Sequence, residues 1–371
     1  MRQNVIKHQV QAMREHGWDA ILACSPENFA YLTGFMSPTQ PLMRWRHAMA
    51  LVTADGNCSL LVVDMEASTI RAKAPGADIA VWKEFSFDCM ETLALLLRRH
   101  GLASSKIALE TDYLPADDFA KLTKLLPAAT FAPAQAVLAR MRQIKTPEEV
   151  AIMRKLARIA DQSINEAFAA VRAGDSEMDI ASALTRGIYT HGAEYFKLMI
   201  IATGERSVFP NVGPTTRRLQ RGDVCRVEVF PMIDGYHVGV CRTAVVGEAP
   251  PHAERIWANL IACKRLLLEV MAPGARTRWI YDAYLKKLSE LDLPPISFIG
   301  HGMGLHLHED PYLGPTADQP LEADMVLAFE PLVFETGFNF GMQIKDVVLI
   351  NEGGCELLSN FTNTDRLIVV R

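Results

Sequence analysis

Along the first third of the chain, the spacing of apolar positions switches between two periods. In MRQNVIKHQVQAMREHGW the residues Val5, Ile6, Val10 and Met13 recur at helical spacing between charges, which predicts an amphipathic helix. The runs WDAILA, AMALVTADGNCSLLVV, ADIAVW and KIALE are short and bounded by turn residues, so they predict strands, while CMETLALLLRRHGL predicts a helix between them. Residues 1–143 therefore read as an α/β domain. Thr146 then stands at an N-cap, with Pro147 at the first helical position and Glu149 at the third, the arrangement of a capping box. Val150, Met153, Leu156, Ala157, Ala160, Ile164, Ala167 and Phe168 follow at helical spacing, which lays this long helix on a core.

A weak internal repeat organises residues 144–371. VRAGDSEMDIASAL and VMAPGARTRWIYDAY each end a helix at a glycine, Gly174 or Gly274, and each resumes with an isoleucine at the same offset, Ile180 or Ile280. Strand-rich sequence follows both copies, predicting an α+β domain in which paired helices flank antiparallel sheet. The late strands DVCRVEVFPMI, YHVGVCRTAVVG, DMVLAFEPLVFE and GMQIKDVVLINEGG carry polar residues inside apolar runs. Such groups are costly to bury without a partner, so these strands are where chemistry is expected.

Composition narrows the classes. The chain has 371 residues, 49% hydrophobic and 22% charged, values of a globular protein with a large core. Its formal charge of -5 comes without a basic block, so neither nucleic acid nor a membrane surface is an expected partner. No apolar run reaches the length of a membrane span or a signal peptide, making the cytoplasm the expected location. Seven scattered cysteines show no zinc spacing and form an odd set, which predicts reduced thiols.

HGMGLHLHEDP gathers His301, His306 and His308 behind a glycine and before an acidic pair. Residues 304–308 alternate in a period-two pattern that predicts a strand or turn edge, with His306 and His308 on one face and Leu305 and Leu307 on the other. Imidazoles so placed can bind metal, carry protons or simply pack.

Six segments, SPENFAYLTGF, MRQIKTPEEV, RGDVCRVEVF with its DGY, GHGMGLHLHE, VLAFEP and IKDVVLI, stand in the order and spacing of the pita-bread family of prolidase, aminopeptidase P, methionine aminopeptidase and creatinase. The chain resembles that family over almost its whole length, and FPMIDGY is similar to creatinase in particular. The resemblance implies an N-terminal α/β domain, a C-terminal pita-bread domain with pseudo-twofold repeat, and a homodimer. In the family's peptidases two aspartates, the histidine of a glycine-histidine-glycine motif and two late glutamates hold two divalent ions, which generate hydroxide near neutral pH. The matching positions here are Glu228, Gly239, His301, Glu330 and Lys345. A glycine offers no ligand and a protonated lysine repels a dication, so the expectation is an enzyme without cofactor; the alternative is one or two divalent ions, manganese, cobalt or zinc.

The function so implied is a metal-independent, creatinase-like hydrolase that cleaves the C–N bond of a small carboxylate-bearing substrate. The alternatives are a metal-dependent Xaa-Pro dipeptidase or aminopeptidase and a catalytically silent binding protein. In the hydrolase reading Glu330, its pKa raised by Glu228, is the general acid or base, His301 donates to the developing negative charge, and His308 shares the proton. Cys241 falls where creatinase has a strand glutamate, and is either a nucleophile or inert core. Tyr236 retains a tyrosine of that enzyme's site, Asn211 falls where it has a proton-shuttling histidine, and Lys345 offsets the charge of Glu228 and Glu330. Arg46 aligns with an arginine that creatinase extends into the partner subunit's pocket to hold a carboxylate; otherwise it is a solvated loop residue.

Overall fold

The structure, a computed structural model, describes residues 1–85 and 88–371. The chain folds as two units, Met1–Arg142 and Gln143–Arg371. Among the described residues no helix is long and apolar enough to cross a membrane.

The N-terminal unit runs α1 (Gln3–His16), β1 (Ala20–Ala23), α2 (Pro26–Thr33), β2 (Met49–Thr53), β3 (Cys58–Val63), α3 (Ala67–Lys73), β4 (Asp78–Trp82), α4 (Cys89–Arg99), β5 (Lys106–Leu109), α5 (Ala116–Leu125), β6 (Thr130–Pro133) and α6 (Gln135–Gln143). Its six strands make one mixed sheet in the order β4-β3-β2-β1-β5-β6. AMALVTADGNCSLLVV is two strands joined by a turn over residues 54–57, where Gly56 takes φ 85°, a left-handed conformation open to glycine at no steric cost. β1 and β2 are buried along their whole length, which explains their continuous apolar runs.

The C-terminal unit contains α7 (Pro147–Ala170), α8 (Glu177–Thr190), β7 (Tyr195–Thr203), β8 (Val224–Ile233), β9 (Tyr236–His237), β10 (Val240–Val246), α9 (Ala253–Val270), α10 (Thr277–Glu290), β11 (Gly300–Gly302), β12 (Glu309–Leu313), β13 (Val326–Phe329), β14 (Leu332–Val333), β15 (Met342–Gln343), β16 (Asp346–Asn351), β17 (Gly354–Leu357) and β18 (Ile368–Val370). One sheet has the order β18-β10-β8-β7 with β9 paired to β8, and a second has the order β12-β11-β13-β16-β17. The capping box at Thr146 is formed, and Ser176 with Asp179 makes another at the start of α8.

The repeat is visible in backbone detail. Gly174 and Gly274 both take positive φ, 95° and 85°, as each chain turns from one helix into the next. The Gly174 amide donates to the Leu219 carbonyl and the Gly274 amide to that of Leu321, each at 2.8 Å. Glu177 N to Arg217 O and Thr277 N to Gln319 O, both 3.0 Å, complete the equivalent pair.

Of the strand or turn edge expected around His306 and His308, the structure shows the second. Residues 304–308 form a bent loop in place of a period-two strand. The Glu309 carboxylate accepts from the amides of Leu305 and His306, at 3.2 and 3.1 Å, and so satisfies locally the donors that a ladder would have used.

Candidate active site

The two sheets of the C-terminal unit meet at a main-chain seam. Cys241 on β10 and Lys345, just before β16, exchange amide-to-carbonyl hydrogen bonds of 3.1 and 3.2 Å. Cys241 is also in register with Glu228 on β8. This double pairing carries Lys345 to Glu228 across one intervening strand, and strand alternation puts Arg226, Glu228 and Phe230 on a common face.

His301 enters from β11, the middle of a Gly-His-Gly strand held between β12 and β13. Backbones approach closely there: a Cβ on Gly300 would lie 2.3 Å from the Ala328 carbonyl oxygen, and one on Gly302 2.3 Å from that of Asp310. Glu330 follows the end of β13, its amide bonded to the Ile299 carbonyl at 2.9 Å. The two flanking glycines therefore let β11 sit deep enough to bring His301 to Glu330, with 3.3 Å between Nε2 and Oε1.

The Lys345 ammonium lies 3.1 Å from Glu228 Oε1 and 3.3 Å from Glu330 Oε1, and all three side chains are buried. Burial works against its charge, but the two carboxylates outweigh burial and raise its pKa above the ordinary lysine value. Glu330 shows the converse: burial favours the acid, yet Lys345 and His301 hold its pKa down to about 2. The expected upward shift of Glu330 by Glu228 is thus reversed, because the lysine lies between the two carboxylates. Gln343 donates to Glu330 Oε2 at 3.0 Å and fixes its second oxygen.

His301 donates from Nδ1 to the Gly302 carbonyl at 2.9 Å, leaving Nε2 toward Glu330. Its ring stacks on His308 with 3.7 Å between centroids. Partial burial, with the neighbouring His301 and Lys345 charges, pushes His308 down to about 4, so it is neutral at pH 7. Above this floor is a cavity of about 350 Å³. Ile200, Phe230, Phe298, Leu332 and Phe334 wall it, and Asn211, Glu228, His308, Glu330, Gln343 and Lys345 supply its polar lining.

The structure brings together Glu228, His301, His308, Glu330 and Lys345, with the exposed Asn211 at the rim. Three other sequence candidates lie outside that group. Cys241 is fully buried, and burial together with the Glu228 carboxylate pushes its thiol well above the ordinary value, which is the condition of inert core and not of a thiolate nucleophile. Tyr236 is buried with its hydroxyl bonded to Glu149. Arg46 belongs to the N-terminal unit, where Glu84 occupies its guanidinium through contacts of 2.9 Å from Nε and 2.8 Å from Nη2. His306 lies on the bent loop. Two residues not anticipated from sequence, Arg226 and Gln343, are buried at the floor. The signal for Arg226 was its place two residues before Glu228 in VCRVEVF, a cation inside an apolar strand.

Residues 151–352 match metallopeptidase family M24, and residues 6–144 match the creatinase/prolidase N-terminal domain. The chain is 26% identical to the Xaa-Pro dipeptidase of Pyrococcus furiosus over 96% of its own length and 97% of that protein's. It is 24% identical to the putative dipeptidase YkvY of Bacillus subtilis, covering 96% and 98%. Among solved structures, the Xaa-Pro dipeptidase from Bacillus anthracis superposes with a TM-score of 0.86 at 22% identity, covering 99% of both chains. The prolidase from Thermococcus sibiricus gives 0.87 at 23%, covering 100% and 99%. The fold is the pita-bread fold with its separate N-terminal α/β domain.

These matches correct two expectations. The family is one of metallopeptidases and the relatives are named as dipeptidases, so the metal-independent creatinase-like hydrolase gives way to the peptidase alternative, and the expectation of no cofactor falls with it. The side chains in place nevertheless do not fit a pair of divalent ions. A Cβ on Gly239 would lie 2.2 Å from the Phe230 ring, which fills the space of the family's second aspartate, and the Lys345 ammonium stands between the remaining carboxylates. Among the described residues no group of three His, Cys, Asp or Glu side chains is arranged to hold a metal.

Proposed function

The chain belongs to metallopeptidase family M24, and from that premise we propose that it hydrolyses the C–N bond of a short peptide, with Xaa-Pro dipeptides as the substrate class indicated by the names of its relatives. The observation that carries this reading is the cavity itself: apolar walls suited to a side chain and a proline ring, closed at one end by ionised and neutral proton-handling groups. In this reading His308, neutral at pH 7, takes a proton from the attacking water and returns it to the leaving nitrogen as the C–N bond breaks, while the stacked His301 ring holds it in place. Glu330 remains a carboxylate that orients His301, while the Lys345 ammonium lies between Glu228 and Glu330. Asn211 at the rim offers an amide to the peptide, and Tyr236 and Cys241 support the strands behind. We further infer a homodimer acting in the cytoplasm, in which Arg46 reaches a substrate carboxylate only by exchanging Glu84 for it.

Purified protein, stripped with chelator and then supplied with manganese, cobalt or zinc, is assayed against Ala-Pro, Phe-Pro and Gly-Pro. Release of free proline supports the proposal, and comparison of the stripped and supplied samples reads out the metal requirement directly. No cleavage under any condition sinks it, and binding of a dipeptide by calorimetry without product would show a site that holds peptides but does not cut them. Size-exclusion chromatography with light scattering reads the dimer; a monomer at working concentration rules it out.

A further inference from the structure

Arg226 is buried completely on β8, on the same face as Glu228, and the catalytic roles above make no use of it. Its guanidinium is engaged on three sides. One terminal nitrogen donates to Gln343 Oε1 at 2.9 Å. The other donates to the carbonyls of Phe209 and Pro210, the latter at 2.9 Å. Its Cζ lies over the Phe334 ring, 4.9 Å from the centroid. Pro210 and Phe334 belong to the cavity wall, and Gln343 is the residue that holds Glu330 Oε2. One cation therefore ties together the 209–211 loop, an aromatic wall and, through a single amide, the carboxylate at the floor.

A guanidinium suits this task because it is planar, permanently charged and forked, so it can serve separated acceptors while stacking on a ring; an ammonium has neither the plane nor the span. A buried cation is also expensive unless it is paired or amply bonded. Here the local sum is balanced, since Arg226 and Lys345 oppose Glu228 and Glu330. Without Arg226, the loop carbonyls lose their donor and Gln343 loses the bond that holds its amide toward Glu330.

We propose that Arg226 is a positioning residue that couples the substrate-selecting wall of the cavity to the Glu330 carboxylate, and that it sets a preference for dipeptides with a bulky apolar first residue, held between Pro210 and Phe334. This rests on the short-peptide reading of the site. The wall and the floor are separable, because Arg226 acts on the first directly and on the second only through Gln343.

The test compares Arg226→Met, Arg226→Lys and Gln343→Leu in the full-length chain. In substrate-free protein, amide hydrogen exchange over residues 207–213 should accelerate at least ten-fold in Arg226→Met and stay at the parent rate in Gln343→Leu. With Phe-Pro and Gly-Pro as probes, Arg226→Met should raise KM for Phe-Pro about ten-fold and erase its preference over Gly-Pro, and Arg226→Lys should not rescue it. Gln343→Leu should lower kcat with KM nearly unchanged, because Glu330 loses the donor that fixes its second oxygen. Unchanged exchange in folded Arg226→Met overturns the proposal, as does an equal loss of kcat and KM in both variants. If the parent cleaves neither dipeptide, the short-peptide reading fails by itself, and the exchange result still decides whether Arg226 anchors the wall. Should Arg226→Met not fold, exchange in Arg226→Lys decides the same point.

Discussion

At the scale of single residues, what could be read in advance was identity, and what could not was ionisation. His301, Glu330, Glu228 and Lys345 sit in short runs with recognisable spacing, and they do converge. The upward shift expected for Glu330 is downward in the structure, because proximity in sequence says nothing of whether a lysine or a carboxylate is the nearer neighbour in space. His237 makes the same point: it lies in a strand of two residues, fully buried, with Nδ1 at 3.3 Å from the Gly235 carbonyl and no partner for Nε2 among the described residues. Burial pushes its pKa down to about 4. The unfolded chain takes up this proton near the ordinary value of about 6.5, whereas the folded chain does so only near 4, so the unfolded state binds more protons between those limits. Stability should therefore fall as pH drops through that window, by roughly 3 kcal/mol from this group at about 1.4 kcal/mol per unit. Urea midpoints measured from pH 7 to pH 4 check this, and His237→Asn should flatten the slope; an equal slope in the variant would assign the effect elsewhere.

Elements were legible where the local signal was complete. The Thr146 capping box formed as written in the sequence because its two reciprocal bonds need only residues three apart. The loop over residues 304–308 defeated its pattern because Glu309, a residue beyond it, captures two of its amides. Alternation assumes that a ladder partner exists, and no periodicity reports a competing carboxylate. β11 is the opposite case, three residues with too little sequence to announce a strand, made possible by the absence of side chains on either side of His301. Gly300→Ala should consequently cost several kcal/mol, since the added carbon meets backbone at 2.3 Å and strand β13 has to give way. Thermal unfolding reads the loss, and Gly213→Ala, where a Cβ meets open space, serves as the control. A Gly300→Ala protein as stable as the control would show that β11 is looser than its contacts indicate.

For the whole molecule, the repeat was visible in the offsets of Gly174 and Gly274, while the groups that tie its two copies together were not. Asp161 on α7, Arg242 on β10, Lys264 on α9 and Asp346 on β16 form a buried ion cluster, with 2.8 Å from Arg242 to Asp161, 2.9 Å from Arg242 to Asp346 and 2.7 Å from Lys264 to Asp346. These residues come from four distant stretches, and no one segment shows which of them will meet. Burial opposes the Arg242 charge but its two aspartates raise its pKa, and Asp346 is correspondingly lowered. Arg242→Met leaves two buried carboxylates with one lysine and should cost roughly 3–5 kcal/mol, read by chemical denaturation; a loss under 1 kcal/mol would mean that water reaches the cluster. The seam between Cys241 and Lys345 has a consequence of another kind. The hydrogen bonds that join the two sheets are the same ones that bring Lys345 to Glu228, so the site has no separate existence as a local loop constellation. Many binding sites are lost early on heating because they are built on weakly held segments that open while the core persists. Here the fate of the ion-paired floor is tied to the sheet junction: Lys345 stays beside Glu228 for as long as the two sheets stay joined.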